Sequence, residues 1–242
     1  MSTISNALYL RRVHAPFRVI WQYLATSLTR RGLRKKHAAA IVELRDFVKD
    51  NDFKRDWFTA NVPFWMEIFD QCRLNGRPIK VLEVGSFEGL SACFLLMKLP
   101  EARLTCVDTW EGSDEHVGMD LIASTEAAFD RHVAPWRERV TKRKGFSLPY
   151  LASLRPDDKF DLVYVDGSHH ADDVLVDAIR GFEQLKVGGV MILDDYLWQY
   201  YPRVTENPAT AINAFLHVVE GRYRLVLAYY QLAIVKTAER SC

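Results

Sequence analysis

The sequence has few cysteines, and their spacing argues against two common frameworks. The four cysteines show neither the paired spacing of a zinc site nor a disulfide pattern; they are Cys72, Cys93, Cys106 and Cys242. Cys93 and Cys106 fall in apolar helix and strand patterns. We therefore expect reduced core thiols in a cytoplasmic protein.

Long hydrophobic runs are also missing. No run of about 18 apolar residues occurs, which argues against a membrane-spanning helix. Arg18 and Gln22 interrupt the apolar stretch near the N-terminus, so we do not expect a signal peptide. With 49% hydrophobic and 26% charged residues among 242, the composition is typical of a globular domain with an appendage.

Acidic side chains are missing from the N-terminal segment, where none precedes Glu43. This segment has a charge of +8, which leaves −7 for the rest of the chain; its basic residues are Arg11, Arg12, Arg18, Arg30, Arg31, Arg34, Lys35 and Lys36. Apolar residues recur there at three- and four-residue steps, which predicts an amphipathic helix through Val13, Phe17, Ile20, Leu24 and Leu28.

We expect residues 1–75 to form a helical extension whose basic arm is residues 1–36. Such a helix packs on its own domain or on a second subunit of a homo-oligomer. Contact of the basic arm with a membrane surface or a nucleic acid is the alternative.

After the turn signal Asn75-Gly76, short apolar runs alternate with helical patterns, which is typical of parallel βαβ units. Strands are predicted at 79–85, 103–109, 139–144, 160–166 and 188–194. Helices are predicted at 38–49, 61–73, 89–99, 115–134, 147–154, 170–185 and 208–219. The last apolar runs, 223–230 and 232–236, are too close for a helical crossover and must pair antiparallel. The predicted fold class is α/β, with a doubly wound, mostly parallel seven-stranded sheet over residues 76–242.

The Gly-x-Gly-x-x-Gly pattern of dinucleotide sites is absent from the first strand–helix junction. The junction instead reads Glu-x-Gly-x-x-x-Gly, with Glu83, Gly85 and Gly89. In an open α/β sheet this junction borders the ligand, with helix N–H groups facing it and glycine allowing close approach. A pyrophosphate needs a glycine-dense turn, whereas a ligand without phosphates tolerates the side chains of Ser86, Phe87 and Glu88.

This junction resembles the first motif of the class I S-adenosylmethionine-dependent methyltransferases. The second strand ends in Asp108, 23 residues after Gly85, where a carboxylate can accept both ribose hydroxyls. The alternative is that Glu83 and Asp108 merely cap helices. The resemblance implies a Rossmann-like methyltransferase fold with S-adenosyl-L-methionine as cofactor. We expect it to contact Glu83, Gly85, Ser86, Phe87, Gly89, Ser91, Asp108, Thr109, Trp110, Gly145, Phe146, Ser147 and Asp166.

Carboxylates also end two strands that we expect to be neighbours. Asp166 follows one, and Asp194 and Asp195 follow the other. Gathered carboxylates repel one another and raise their own pKa values unless a cation neutralises them. An all-oxygen site suits Mg²⁺, and Ca²⁺ or Mn²⁺ accepts the same ligands. Alternatively, Asp166 caps the next helix and the adjacent pair are turn residues.

The Asp-Gly-Ser-His sequence at 166–169, followed later by two adjacent acids, narrows the resemblance. It is similar to the metal-dependent macrolide-sugar O-methyltransferases and the related cephalosporin-hydroxylase-like proteins, over roughly residues 78–237. This implies a metal held by Asp166, Asp194 and Asp195, and His169 as the catalytic base. We expect His170 to point elsewhere. The alternative is that both histidines are first-turn residues of a surface helix.

The expected function is metal-assisted methyl transfer to a hydroxyl of a small-molecule acceptor. A metal lowers the pKa of a bound hydroxyl, and a nearby base then takes the proton. A nucleotide-cofactor oxidoreductase or a non-catalytic binding protein with this fold are the rival interpretations. An aromatic group before the first strand either belongs to the core or walls the acceptor pocket: Trp57, Phe64, Trp65 and Phe69.

Overall fold

The structure is a computed structural model that describes residues 2–112 and 124–240. Of the helix predicted at 115–134, only the part from residue 124 onwards is described. Most of the acidic run at 111–116, and Cys242, lie outside the described residues. Among the described helices, none has the length and apolar character needed to cross a membrane.

The described elements follow the predicted alternation closely. The helices are α1 Thr3–Arg12, α2 Phe17–Lys36, α3 Ala38–Asp50, α4 Val62–Cys72, α5 Leu90–Lys98, α6 Thr125–Val133, α7 Ser147–Ser153, α8 Ala171–Gln184 and α9 Pro208–Val218. The strands are β1 Ile79–Val84, β2 Ala102–Asp108, β3 Val140–Lys144, β4 Phe160–Val165, β5 Leu185–Leu193, β6 Tyr223–Ala228 and β7 Leu232–Lys236.

The strands form one sheet in the order β3-β2-β1-β4-β5-β7-β6. Strands β1 to β5 are parallel, and β7 runs antiparallel to both of its neighbours. The predicted doubly wound fold, with its antiparallel final pair, is therefore confirmed. The strand order reverses between β1 and β4, and such a switch point opens a crevice at the carboxyl ends of the strands.

Apolar side chains cover both faces of the sheet. Every residue of β4 is buried, as expected for a parallel strand with helices on both sides. Val81 and Leu162 pack on one face with residues of α3, α4 and α5. Leu82 and Val163 pack on the other face with residues of α1, α2, α8 and α9. Among the described residues, Cys93 and Cys106 are buried free thiols in the core, as predicted, and Cys72 is a partly buried free thiol.

The N-terminal segment corrects one prediction. A single amphipathic helix through Val13 to Leu28 is wrong, because α1 ends at Arg12 and α2 begins after Pro16, whose fixed φ and missing N–H suit a helix start. The inward face of α2 consists of Val19, Tyr23 and Thr26. Part of the predicted apolar stripe is instead exposed to solvent, namely Phe17 and Leu28.

Through its inward face, α2 packs on the chain's own sheet. Val19 and Tyr23 belong to the same buried cluster as residues of β6. Arg30 donates a hydrogen bond from Nη1 to the Tyr229 hydroxyl at 2.7 Å. The expectation that the basic arm packs on its own domain is confirmed for this face, and the contact with a second subunit stays a prediction.

Candidate active site

A cavity of about 1050 Å³ lies at the carboxyl ends of β1, β2, β4 and β5. Three residues at this cavity have left-handed backbone angles although they are not glycine: Phe87 at φ 47°, Trp110 at 55° and Asp195 at 55°. Such conformations cost free energy and persist where the surrounding structure enforces them, often at functional sites. The cavity is thus the candidate active site.

Gly85 ends β1 in a conformation that other residues rarely adopt, with φ 84°. A Cβ atom there would lie 1.9 Å from the carbonyl oxygen of Asp166. The glycine is needed because the ends of β1 and β4 touch across the switch point, a reason that differs from the predicted approach to a ligand. Gly85 also lines the cavity, so both reasons apply to the same position.

Asp108, at the end of β2, holds the turn that follows β1. Its Oδ2 accepts hydrogen bonds from the backbone N–H groups of Ser86 at 2.7 Å and Phe87 at 2.8 Å. Its Oδ1 accepts one from the Trp110 N–H at 2.6 Å. A carboxylate has about four acceptor positions. The predicted bidentate contact with a ribose would therefore share these oxygens with the turn.

Glu83 lies beneath the turn and outside the cavity lining. The side chain is fully buried and accepts hydrogen bonds from the hydroxyls of Ser86 and Ser91, both at 2.6 Å. Gly89 also lies outside the lining, where its φ of 85° starts α5 and its Cα faces the Phe129 ring. Glu83 and Gly89 were both predicted to contact S-adenosylmethionine. In the structure they instead lie under the turn and support it.

Burial, reinforced by the negative charge of Asp108, raises the pKa of Glu83 from 4.5 to about 7, although the two serine hydroxyls oppose this shift. Between these values the folded protein retains a proton that the unfolded chain has lost. The free energy of unfolding therefore falls as the pH rises from 4.5 to 7, by about 3 kcal/mol from this group. We expect Glu83→Gln to remove that part of the slope.

Urea unfolding of both proteins at several pH values across this window measures the slope. Exposed Glu101 provides the matched control, because Glu101→Gln should follow the wild type. Parallel slopes for the wild type and Glu83→Gln would contradict the expectation.

The remaining residues predicted to contact S-adenosylmethionine all line the cavity: Ser91, Thr109, Trp110, Gly145, Phe146 and Ser147. The Trp110 ring packs on Phe129 with centroids 5.0 Å apart, and its Nε1–H donates to the Phe87 carbonyl at 2.9 Å. The Gly145 N–H donates to the Asp108 carbonyl at 2.8 Å, which brings the end of β3 to the same crevice.

A candidate metal centre also lines this cavity. Ligand atoms of Asp166, His169 and Asp195 lie within 4.8 Å of one another. Nε2 of His169 lies 2.9 Å from Oδ2 of Asp195. Burial and the negative charges of Asp194 and Asp195 raise the pKa of Asp166 well above its usual range. Such a group fits a divalent cation, whose charge would offset this repulsion.

Asp194, the third predicted metal ligand, is engaged by protein groups. The Tyr164 hydroxyl and the Gln231 side-chain amide both contact its Oδ2, and the Tyr164 hydroxyl is also 2.7 Å from Oδ2 of Asp166. Since a phenol has one proton, one of its two carboxyl contacts requires a proton on a carboxyl group. Burial and the charge of Asp195 raise the pKa of Asp194 accordingly.

Both predicted histidines lie at the cavity. The ring of His169 packs edge-on against Trp198, with centroids 4.8 Å apart. The ring of His170 stacks on Tyr201 at 4.3 Å. His170 thus lines the cavity without belonging to the group of Asp166, His169 and Asp195, and the expectation that it points elsewhere stays a prediction.

The aromatic group before β1 divides between core and site. Trp57 and Phe64 line the cavity, whereas Trp65 and Phe69 are fully buried. The sequence reasoning missed several further lining residues: Arg34, Arg55, Tyr164, Asp177, Trp198, Tyr201, Tyr229 and Tyr230. Tyr164 could have been predicted from the sequence, because its hydroxyl is unusual in an otherwise apolar strand.

Comparison with known proteins agrees with this geometry. Residues 82–196 match the family described as a methyltransferase domain. The O-methyltransferase hkm8 of Aspergillus hancockii is 29% identical over 133 residues, which are 53% of this chain and 48% of that protein. The chain thus spans about half the length of this curated relative.

Solved structures share the fold at low sequence identity. The O-methyltransferase TomG from Streptomyces achromogenes, solved with S-adenosylmethionine, has a TM-score of 0.54 and 17% identity, with 82% of this chain and 90% of that chain covered. MycE, a methyltransferase of mycinamycin biosynthesis solved with Mg, S-adenosylhomocysteine and mycinamycin VI, has a TM-score of 0.57 and 16% identity, with 80% and 54% covered.

The fold is that of the class I methyltransferases, and residues 82–196 match a methyltransferase domain. The domain match covers slightly less than half of the chain, and the similarity to the O-methyltransferase hkm8 extends over 133 residues. The oxidoreductase and non-catalytic interpretations are not favoured by these findings.

Proposed function

We propose that this protein transfers the methyl group of S-adenosylmethionine to a hydroxyl oxygen of a small-molecule acceptor. One observation supports this most: a single cavity joins the β1 turn and Asp108 to the group Asp166, His169 and Asp195. A donor seated at the turn would therefore face an acceptor seated beside the carboxylates. We further propose that residues 76–242 form the catalytic domain, that residues 1–75 extend it, and that the protein works in the cytoplasm.

The two groups of lining residues would have different chemical tasks. The β1 turn and Asp108 would bind the donor and orient its methyl group. Asp166 and Asp195, with Asp194 or His169, would hold Mg²⁺, as the Mg-containing neighbour MycE suggests. When bound, the ion would lower the pKa of the acceptor hydroxyl. His169, oriented by Asp195, would accept the proton, and Trp57 and Phe64 would exclude water around an apolar acceptor.

Donor binding tests the first half of the proposal. Calorimetry should detect S-adenosylmethionine and S-adenosylhomocysteine binding to the wild type. We expect Asp108→Ala to weaken it by about 10- to 100-fold, because hydrogen bonds to a charged group contribute about 1.5–3 kcal/mol. The loss includes release of the turn that Asp108 holds.

Exposed Asp157 offers a matched control, since Asp157→Ala removes a carboxylate remote from the cavity lining and should bind the donor normally. Unchanged affinity in Asp108→Ala would remove Asp108 from the donor site. Incubation with labelled donor, Mg²⁺ and a fractionated cell extract then tests methyl transfer and isolates the acceptor.

A further inference from the structure

The N-terminal helices expose large apolar side chains on their outward side. Phe17, Trp21 and Leu28 of α2 are 74%, 59% and 85% exposed. On a helix of 3.6 residues per turn these three positions lie within about 40° of one another. Ile4 and Leu8 of α1 are 72% and 62% exposed. Packing among the described residues therefore leaves these five apolar side chains exposed.

Basic side chains accompany this surface. Arg31 and Lys35 are exposed at positions of α2 that continue the same outward direction, and Arg11 and Arg12 are exposed at the end of α1. No acidic residue occurs before Glu43. We call this surface the N-terminal face; it comprises Ile4, Leu8, Arg11, Arg12, Phe17, Trp21, Leu28, Arg31 and Lys35.

We propose that the N-terminal face docks on an anionic lipid surface. Exposed aromatic and aliphatic side chains among arginine and lysine, with no acidic side chain, are the composition of helices that lie in the membrane interface. The apolar side chains enter the headgroup region while the basic ones attract anionic headgroups. This peripheral attachment needs no membrane-spanning helix, and it goes beyond the proposed methyl transfer.

Other partners fit the N-terminal face less well. A second copy in a two-fold contact would place the same face against itself, so its basic residues would meet no acidic partner there. A nucleic acid would match the charge, but it would leave the aliphatic Ile4, Leu8 and Leu28 without an apolar environment.

Docking would also set the active site near the lipid. Arg34 of α2 lines the cavity, and Arg30 of α2 hydrogen-bonds Tyr229, which lines it too. The helix that meets the membrane therefore forms part of the cavity wall.

Sedimentation of the full chain with lipid vesicles tests this inference. We expect binding to vesicles of phosphatidylcholine with about 30% phosphatidylglycerol and little binding to phosphatidylcholine alone, because the anionic surface supplies the attraction. Binding should fall steeply between about 0.05 and 0.5 M salt, since exposed charges are screened.

Two variants separate the contributions. The triple variant Phe17→Ser, Trp21→Ser, Leu28→Ser should bind anionic vesicles at least about tenfold more weakly, because its apolar insertion is lost. The double variant Arg31→Glu, Lys35→Glu should lose at least about 25-fold, at about fivefold for each basic residue near the surface. A control with exposed valines changed on other elements, Val42→Ser with Val187→Ser, should bind like the wild type.

Several results would overturn the inference. These are absence of wild-type binding to anionic vesicles, unchanged binding by both variants, or binding to RNA without binding to vesicles. A stable dimer by light scattering that the triple variant dissociates, with no vesicle binding, would assign the face to a second copy. Circular dichroism checks folding, and if the triple variant fails to fold, the charge variant decides. Donor calorimetry reports separately on the proposed function.

Discussion

Asp195→Asn is expected to lower methyl-transfer turnover by about 10³-fold or more, the scale of several kcal/mol that metal-ion catalysis supplies. Asp195 shares its candidate centre with Asp166 and His169, within 4.8 Å of one another. Its left-handed φ of 55° places the carboxylate there at a conformational cost. Asparagine would leave the centre with one negative charge fewer and His169 without its carboxylate partner.

The measurement that isolates the ligand role is divalent-metal titration by calorimetry, without donor or acceptor. Asp195→Asn should weaken Mg²⁺ binding, whereas Asp172→Asn, an exposed acid at the start of α8, should not. Chelation should abolish wild-type turnover, and added Mg²⁺ should restore it. Turnover that survives thorough chelation would refute the metal centre.

Asp194→Asn distinguishes two ligand sets. If the sequence-based set Asp166, Asp194 and Asp195 holds the metal, this variant should lose metal affinity as strongly as Asp195→Asn. If the geometric group with His169 holds it, the loss should be smaller, because the Asp194 carboxylate already accepts from Tyr164 and Gln231. The tryptophan Trp65 in turn donates from Nε1 to Gln231 at 2.6 Å, which fixes that amide.

The second large effect concerns His169. We expect His169→Ala to lower turnover by about 10²- to 10⁴-fold, the usual contribution of a general base. The 2.9 Å contact between its Nε2 and Asp195 is the orienting partner that such a base requires. A base acts after the donor and the metal have bound, so their affinities should change little.

Two controls accompany His169→Ala. His217 is remote from the cavity lining and hydrogen-bonds the carbonyl of His14, so His217→Ala should leave turnover unchanged. His170→Ala reports on the aromatic wall, because its ring stacks on Tyr201. If His169→Ala weakens metal binding in calorimetry as much as turnover, the residue is a ligand and not the base. Equal losses of turnover in His169→Ala and His170→Ala would likewise contradict the assignment of His169 as the base.

Local sequence determined the elements and the edge of the sheet at which the site forms. The alternation of apolar runs and helical patterns predicts all seven strands, because strand and helix periodicities depend on near neighbours. Strand ends predict Gly85, Asp108, Asp166 and Asp195 at one cavity, since parallel strands end at the same edge of the sheet. These residues do line it together.

Only the tertiary structure decided which of these groups touch. The approach of Gly85 to the Asp166 carbonyl, the contact of Gln231 with Asp194 and the inward turn of Val19 on α2 join segments far apart in sequence. Tertiary packing also places Glu83 under the turn, although its spacing from Gly85 predicted a contact with S-adenosylmethionine. Periodicity shows which side of an element is apolar, whereas the order and twist of the sheet determine which distant segment that side meets.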